Sequence, residues 1–215
     1  FYGWQVQTDP QTVQGILETA LKKIFDAPSG LSGSGRTDSG VHALGQVAHF
    51  DVEETPIPAE NVWMALNRHL PKDIRVIASQ RVNDDFHSRF NAIQREYRYE
   101  IGIESNILQR GTRWVVSYPL DMEKLHRVTE LIIGTHDFSS FCYARTDTEN
   151  MICNIAHAGW EKTGEGSLRF TVSANRFLHH MVRMLVGNMI EVARGKWNIE
   201  DFTKLLEHPD SQSVT

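Results

Sequence analysis

The sequence predicts an α+β fold with a largely antiparallel sheet. Two patterns point there. Segments with apolar residues at helical spacing alternate with segments of period two. Several period-two segments are joined by turns too short for a crossover helix, which antiparallel neighbours tolerate and parallel ones do not. Size agrees: 215 residues, 40% apolar and 23% charged, suffice for one large domain or two small ones with a real core.

The elements follow in order. Val13 to Phe25 reads as a helix, with Val13, Ile16, Leu17, Ala20, Leu21 and Ile24 on one face and Thr12 or Asp9 as cap. Ala27-Pro28-Ser29-Gly30 ends it. A glycine-dense turn, Gly33 to Gln46, leads into a strand over Gln46 to Val52. Glu60 to Leu70 reads as a second helix, and Ile74 to Ala78 as a strand. Asp84 to Phe90 is a polar-aromatic connector. Glu96 to Ile103 alternates strictly, Tyr97, Tyr99, Ile101 and Ile103 against Arg98 and Glu100. Asp121 caps a third helix, Met122 to Ile133. Cys153 to Glu161 and Leu168 to Ala174 form a hairpin around Thr163-Gly164-Glu165-Gly166. His179 to Ala193 and Asp201 to Leu206 are the last two helices. The stretch Gly111 to Leu120 divides two halves, 1–110 and 111–215.

Composition narrows the function. No apolar run is long enough to cross a membrane. Phe1-Tyr2-Gly3-Trp4 lacks the marks of a secretory leader. Cys142 and Cys153 match neither a disulfide framework nor a zinc spacing, which suits a reducing cytoplasm. The net charge is −5, but basic residues cluster. Arg68 to Arg113 holds nine basic residues against six acidic, and Arg169 to Lys196 five against one. Arginine outnumbers lysine 15 to 7, which suits bidentate phosphate contacts and stacking on bases. A solvated mixed surface is the competing reading of the same charges.

Three constellations could carry chemistry. Gly33 to Gly40 lacks both the P-loop signature and the dinucleotide glycine spacing. Glycines at this density permit positive φ and close backbone approach. On local pattern alone Asp38 is a turn residue or cap; the sharper reading makes it a presented carboxylate. Tyr97 and Tyr99 either pack a sheet face or offer a platform to a base. In Ser173 to Gly187 and just beyond, Leu178, Met181, Val182, Leu185 and Met189 form an apolar stripe. Arg183 among them calls for an acidic partner, either a structural ion pair or a nucleophilic Asp that it keeps ionised. Adjacent helical residues diverge by about 100°, so His179-His180 is a poor metal pair, and no metal is expected.

A family resemblance runs through the same residues. Gly35-Arg36-Thr37-Asp38-Ser39-Gly40-Val41-His42 followed by Gly45-Gln46-Val47 resembles the first motif of the tRNA pseudouridine synthase A family. Asp85 to Phe90 with Arg95-Glu96-Tyr97-Arg98-Tyr99 resembles its second, and Ala174 to Arg183 its third. Phe1-Tyr2-Gly3-Trp4-Gln5 is similar to the segment after the family's first strand, so the family's opening and closing strands are expected to lie outside this sequence.

The resemblance implies a pseudouridine synthase fold: two similar α+β halves whose antiparallel sheets join around a central cleft. It implies a homodimer that acts on tRNA without cofactor or metal. Uridine becomes pseudouridine at tRNA positions 38, 39 and 40, in the anticodon stem-loop. Asp38 is then the nucleophile, Tyr97 stacks on the base and handles a proton, and Arg183, buried, pairs with Asp38. Arg36 lies beside the nucleophile and helps flip the target. His42, Phe86, His87, Arg89, Arg95, Arg98, Asn175, Arg176 and His179 are candidates for RNA contact. Alternatives are a synthase acting on other RNA uridines, a catalytically silent RNA-binding module, and a nucleotide-binding enzyme using the glycine turn.

Overall fold

The computed structural model describes residues 1–8, 11–53, 55–103, 107–143, 148–164 and 166–209. It is an α+β chain that divides into two compact units, Phe1–Ala92 and Ile93–Thr215.

In the first unit, helix α1 (Val13–Leu21) is capped by Thr12, whose hydroxyl accepts the N–H of Gly15 at 3.3 Å. Asp9 lies outside the described residues. Strands β1 (Ser32–Gly33) and β2 (Ala48–His49) form a short antiparallel ribbon, Ser32 opposite His49 and Gly33 opposite Ala48. Helix α2 (Val62–Asn67) follows one turn of 3₁₀-helix. The core is small: Trp4, Ala20, Leu21, Phe25, Leu31, Val62 and Leu66, with Phe50 and Val52 packed on it.

Two strand expectations need correction here. Only Ala48–His49 of the 46–52 run forms regular strand, and Ile74 to Ala78 forms none. The reason for the second is local. Asn67 Nδ2 donates to the Val76 carbonyl at 2.8 Å, and Asn67 Oδ1 accepts the Val76 N–H at 2.9 Å. One side chain thus satisfies backbone groups that a ladder would otherwise take.

The second unit is a five-stranded sheet, order β4-β3-β7-β6-β5, backed by helices. Its strands are β3 (Arg95–Gly102), β4 (Trp114–Val115), β5 (Gly134–Asp137), β6 (Ile152–Gly164) and β7 (Ser167–Ala174). Among the described residues only the β3–β4 pair is parallel. The β6–β7 hairpin is as expected, although Glu165 of its turn lies outside the described residues. Helices α3 (Met122–Leu131), α4 (Met181–Ala193) and α5 (Ile199–Glu207) complete the unit. Asp121 caps α3 by accepting the N–H groups of Glu123 and Lys124.

Leu168, Phe170, Val172 and Ala174 of β7 are all buried in the core with Leu125, Val128, Leu185 and Met189. Full burial of a large side chain among them contributes about 2 kcal/mol. The division differs from the one at residue 110, because β3 pairs along its whole length with β7, and β4, from the stretch Gly111 to Leu120, adds to β3.

Strand β6 carries a register shift between Ile155 and His157. Cys153 and Ile155 are buried before it, Ala158 and Trp160 after it. The bulge therefore shifts the inward positions from odd to even residue numbers. Cys142 and Cys153 are buried free thiols, and burial pushes Cys153 up to about 11.

Candidate active site

The segment bearing Asp38 projects from the β1–β2 ribbon and is tied at its neck. Ser34 N–H donates to Val47 O at 2.8 Å. Ser34 Oγ donates to Gln46 Oε1 at 2.6 Å, and Gln46 Nε2 donates to Gly35 O at 2.7 Å. Its flank is held by the N-terminal segment: Trp4 N–H donates to Thr37 O at 3.1 Å, Gly40 N–H to Phe1 O at 3.3 Å. A turn closes from Val41 N–H to Asp38 O at 3.2 Å. The backbone of Asp38 is thus fixed from several sides, its side chain half-buried, while Arg36 and His42 are exposed.

Of the loop's glycines, Gly40 takes positive φ (77°), but Gly33, Gly35 and Gly45 do not. Gly33 serves packing instead: a Cβ there would stand 2.5 Å from the Trp4 indole.

The connector over residues 86–91 is anchored to the same ribbon. Ser88, 2% exposed, donates from its hydroxyl to Ser32 O at 2.8 Å. Its backbone N–H donates to His49 Nδ1 at 3.2 Å. Ser88 therefore fastens on the paired residues Ser32 and His49. Phe86 meets His49 edge-on, centroids 6.1 Å apart. His87 Nδ1 accepts the N–H groups of Arg89 and Phe90 at 3.2 and 3.4 Å, and the His87 backbone N–H donates to Asn91 Oδ1 at 2.6 Å. Phe86 and His87 are half-buried, and Arg89 is exposed.

In the second unit the structure gathers Arg95, Tyr97, Asn175, Arg176, Phe177 and His179 where β3 begins and β7 ends. Arg95 Nη1 donates to Asn175 O at 2.9 Å. Asn175 Oδ1 accepts the Asn154 N–H at 2.9 Å, and Asn175 N–H donates to Asn154 O at 3.1 Å. Tyr97 meets Phe177 edge-on at 5.0 Å, and Tyr99 meets Trp114 at 6.3 Å. On the other sheet face, Arg98 pairs with Glu96 at 3.0 Å, and Arg169 pairs with Glu100 at 2.6 Å and Glu161 at 3.2 Å. Arg176 is half-buried, and its charge opposes the effect of burial on Cys153.

Two expectations are corrected by this unit. Arg183 is exposed, not buried. It sits on the outer side of the α4 stripe, so no desolvation forces a partner on it. Its charge acts on Tyr99, whose hydroxyl is raised above 10.0 by burial while the Arg183 charge pulls the other way. His179 and His180 do not diverge. Helix α4 begins only at Met181, His180 caps it in the left-handed region (φ 64°), and the two rings lie 4.1 Å apart. Tyr143 joins them, 5.1 and 5.3 Å from the two rings.

The family model described as tRNA pseudouridine synthase matches residues 1–91 and 128–215. The chain belongs to the tRNA pseudouridine synthase family. It is similar to a tRNA pseudouridine synthase A of Bacteroides fragilis, 40% identical over 207 residues covering 96% of this chain and 82% of the relative. One from Maricaulis maris is 41% identical over 98% of this chain and 85% of its own. One from Bacillus velezensis is 39% identical over 100% and 87%.

In this member of the family, Asp38 and residues 86–90 fall in the first matched stretch and Asn175 to Arg183 in the second. Arg95, Tyr97 and Arg98 lie between the two. Sequence reading left out Gln46, His49, Ser88, Phe177, Tyr143 and His180 as site-building residues. Gln46, Ser88, Phe177 and His180 stood inside the quoted motifs; Tyr143, far from them in sequence, carried no local signal.

Proposed function

We propose that the chain isomerises uridine to pseudouridine in tRNA, at positions 38, 39 and 40 of the anticodon stem-loop, with the Asp38 carboxylate as nucleophile. The observation that carries this reading is the fixed turn bearing Asp38, in a chain about 40% identical to proteins named tRNA pseudouridine synthase A.

In the proposed reaction the carboxylate attacks the ribose C1′ or the uracil C6. The N1–C1′ bond breaks, the uracil turns, and C5 bonds to C1′. A proton leaves C5 and N1 gains one, so the product is an isomer and neither water nor an oxidant is consumed. Tyr97 stacks on the target uracil and takes or relays the C5 proton. Arg183 pairs with the Asp38 carboxylate in this reading. Arg36 fills the space of the flipped nucleotide. His42, Phe86, His87, Arg89, Arg95, Arg98, Asn175, Arg176 and His179 contact the RNA. The fixed loop suits this role, because a nucleophile held in place avoids ordering cost at reaction. The enzyme acts in the cytoplasm, as a homodimer.

The test is mass spectrometry of an unmodified tRNA transcript incubated with the chain. Asp38→Ala and Asp38→Asn are expected to lower pseudouridine formation by at least about a thousandfold while tRNA binding persists. Retained turnover in either variant overturns the nucleophile assignment. Replacing each target uridine by cytidine in turn tests the positions. Tyr97→Phe with full activity would leave stacking as the only role of that ring.

A further inference from the structure

We propose that Phe90 is a stacking platform for an unpaired nucleobase of the bound RNA, set at the end of a row of rings; this rests on the tRNA reading above. The row starts at the ribbon. His49 of β2 meets His87 edge-on, centroids 4.6 Å apart at 62°, and only the last pair, His87 and Phe90, approaches stacking, 4.2 Å apart at 34°. His49 and His87 are half-buried, but Phe90 is 75% exposed. One side of the Phe90 ring is backed by His87, and the residue as a whole stays largely open to solvent. A base placed there would stack on the ring that His87 already supports.

The platform is held in advance. The Phe90 N–H is bonded to His87 Nδ1, His87 and Asn91 are bonded to each other twice, and Ser88 pins the connector to Ser32 and His49. Little backbone freedom remains to be lost on binding. The neighbouring charge selects the occupant. The Arg89 guanidinium lies 5.7 Å from the Phe90 ring centroid. An exposed aromatic with a guanidinium over its ring suits a base joined to a phosphate, because the ring can stack with the base while the cation turns to the backbone. A purely apolar protein partner would have to bury that charge. Every base has a π-face, so the contact is tolerant of sequence and contributes affinity and register.

The experiment measures binding of the full chain to an unmodified tRNA transcript by filter retention, over a range of salt. Phe90→Ala is expected to weaken binding about 5- to 100-fold, the range for loss of one stacked base. Phe90→Leu keeps apolar bulk without the π-face and is expected to weaken it similarly, whereas Phe90→Tyr and Phe90→Trp restore it. The slope of log K against log salt stays as in the parent for Phe90→Ala and falls by about one for Arg89→Ala. The indole fluorescence that Phe90→Trp adds to the chain is expected to be quenched as tRNA is added. A Phe90→Ala chain that keeps its thermal midpoint and binds within about twofold of the parent, a difference too small for a lost stacked base, overturns the proposal. So does a shift in oligomeric state on Phe90→Ala, which would make the ring a contact between copies. If the parent itself fails to bind the transcript, the tRNA reading falls first and the platform with it.

Discussion

Asn67 holds Val76 by both backbone groups, donating to its carbonyl at 2.8 Å and accepting from its N–H at 2.9 Å. A helix side chain here does the work of a neighbouring strand, fixing Ile74 to Ala78 against α2. Asn67→Ala removes two partly buried hydrogen bonds at about 1 kcal/mol each. The expected loss is about 2 kcal/mol in denaturant unfolding, with faster amide exchange at Val76. Unchanged exchange at Val76 would show that the bonds do not hold the segment.

Gly33 faces the Trp4 indole, and an added Cβ would meet the ring at 2.5 Å. Trp4 is 5% exposed and cannot swing away freely. Gly33→Ala is expected to destabilise by about 1 to 3 kcal/mol through overpacking. Combined with Trp4→Leu, which opens space, the double variant should cost less than the sum of the two. Strict additivity in unfolding experiments would place the strain elsewhere.

These two cases also show what local pattern can and cannot reveal. Thr12 and Asp121 were legible as caps because a cap acts on its own next turn. Strand β7 was legible because Leu168, Phe170, Val172 and Ala174 alternate without interruption. Ile74 to Ala78 misled because its alternation is real but its backbone partner is one distant Asn. Strand β5 was missed: Gly134-Thr135-His136-Asp137 has no apolar alternation and is a strand only because β6 lies beside it. His180 was read as helical because apolar spacing continues through it; the left-handed turn there has no signature in a non-glycine residue. Of the candidate site, the Asp38 turn and the Arg95–Tyr97 strand were legible from motif. The exposure of Arg183 was not, since a helix face is settled by what packs on it.

Tyr99 tests the placement of Arg183. Burial raises the Tyr99 hydroxyl above 10.0, and Arg183 lowers it against that trend. Arg183→Met removes the opposing charge, so Tyr99 should ionise at higher pH still. Alkaline titration of tyrosinate absorbance, with Tyr99→Phe to assign the signal, reads this directly. The neutral phenol is favoured by folding, so its stabilising contribution is present below the ordinary value and is lost as pH rises through the raised one. An unmoved or lowered titration would contradict the proximity of the two groups.

Glu191 governs part of the acid limb. Burial alone would raise its carboxyl, but bonds from Arg194 at 2.6 Å and Lys196 at 3.1 Å outweigh that and carry it below 4.5. A lowered carboxyl stabilises the fold above its unfolded value, and that contribution disappears as pH falls through the folded one. Glu191→Gln is expected to cost about 0.5 to 1 kcal/mol near neutrality and to flatten the loss of stability below the ordinary glutamate range. A Glu191→Gln chain whose acid denaturation curve overlays that of the parent would rule the pair out as a contributor.

The bulge in β6 makes this strand's length a matter of parity. Ile155 lies opposite Ala174 and His157 opposite Ser173, so two neighbours on β7 face three residues on β6, and Ala156 is the surplus one. Cys153 and Ile155 point inward before it, Ala158 and Trp160 after it. Deleting Ala156 would leave Ile155, His157 and Ala158 in plain alternation, with the same side chains still facing the core. Deleting Gly159 instead would turn Trp160 to solvent and Glu161 toward the core, up to the next register shift after Lys162. The strand therefore has a spare codon at this bulge and another at the register shift between Lys162 and Gly164 near its end. Elsewhere along β6 side chains can be exchanged one at a time, but the count of residues works as a reading frame that the core enforces.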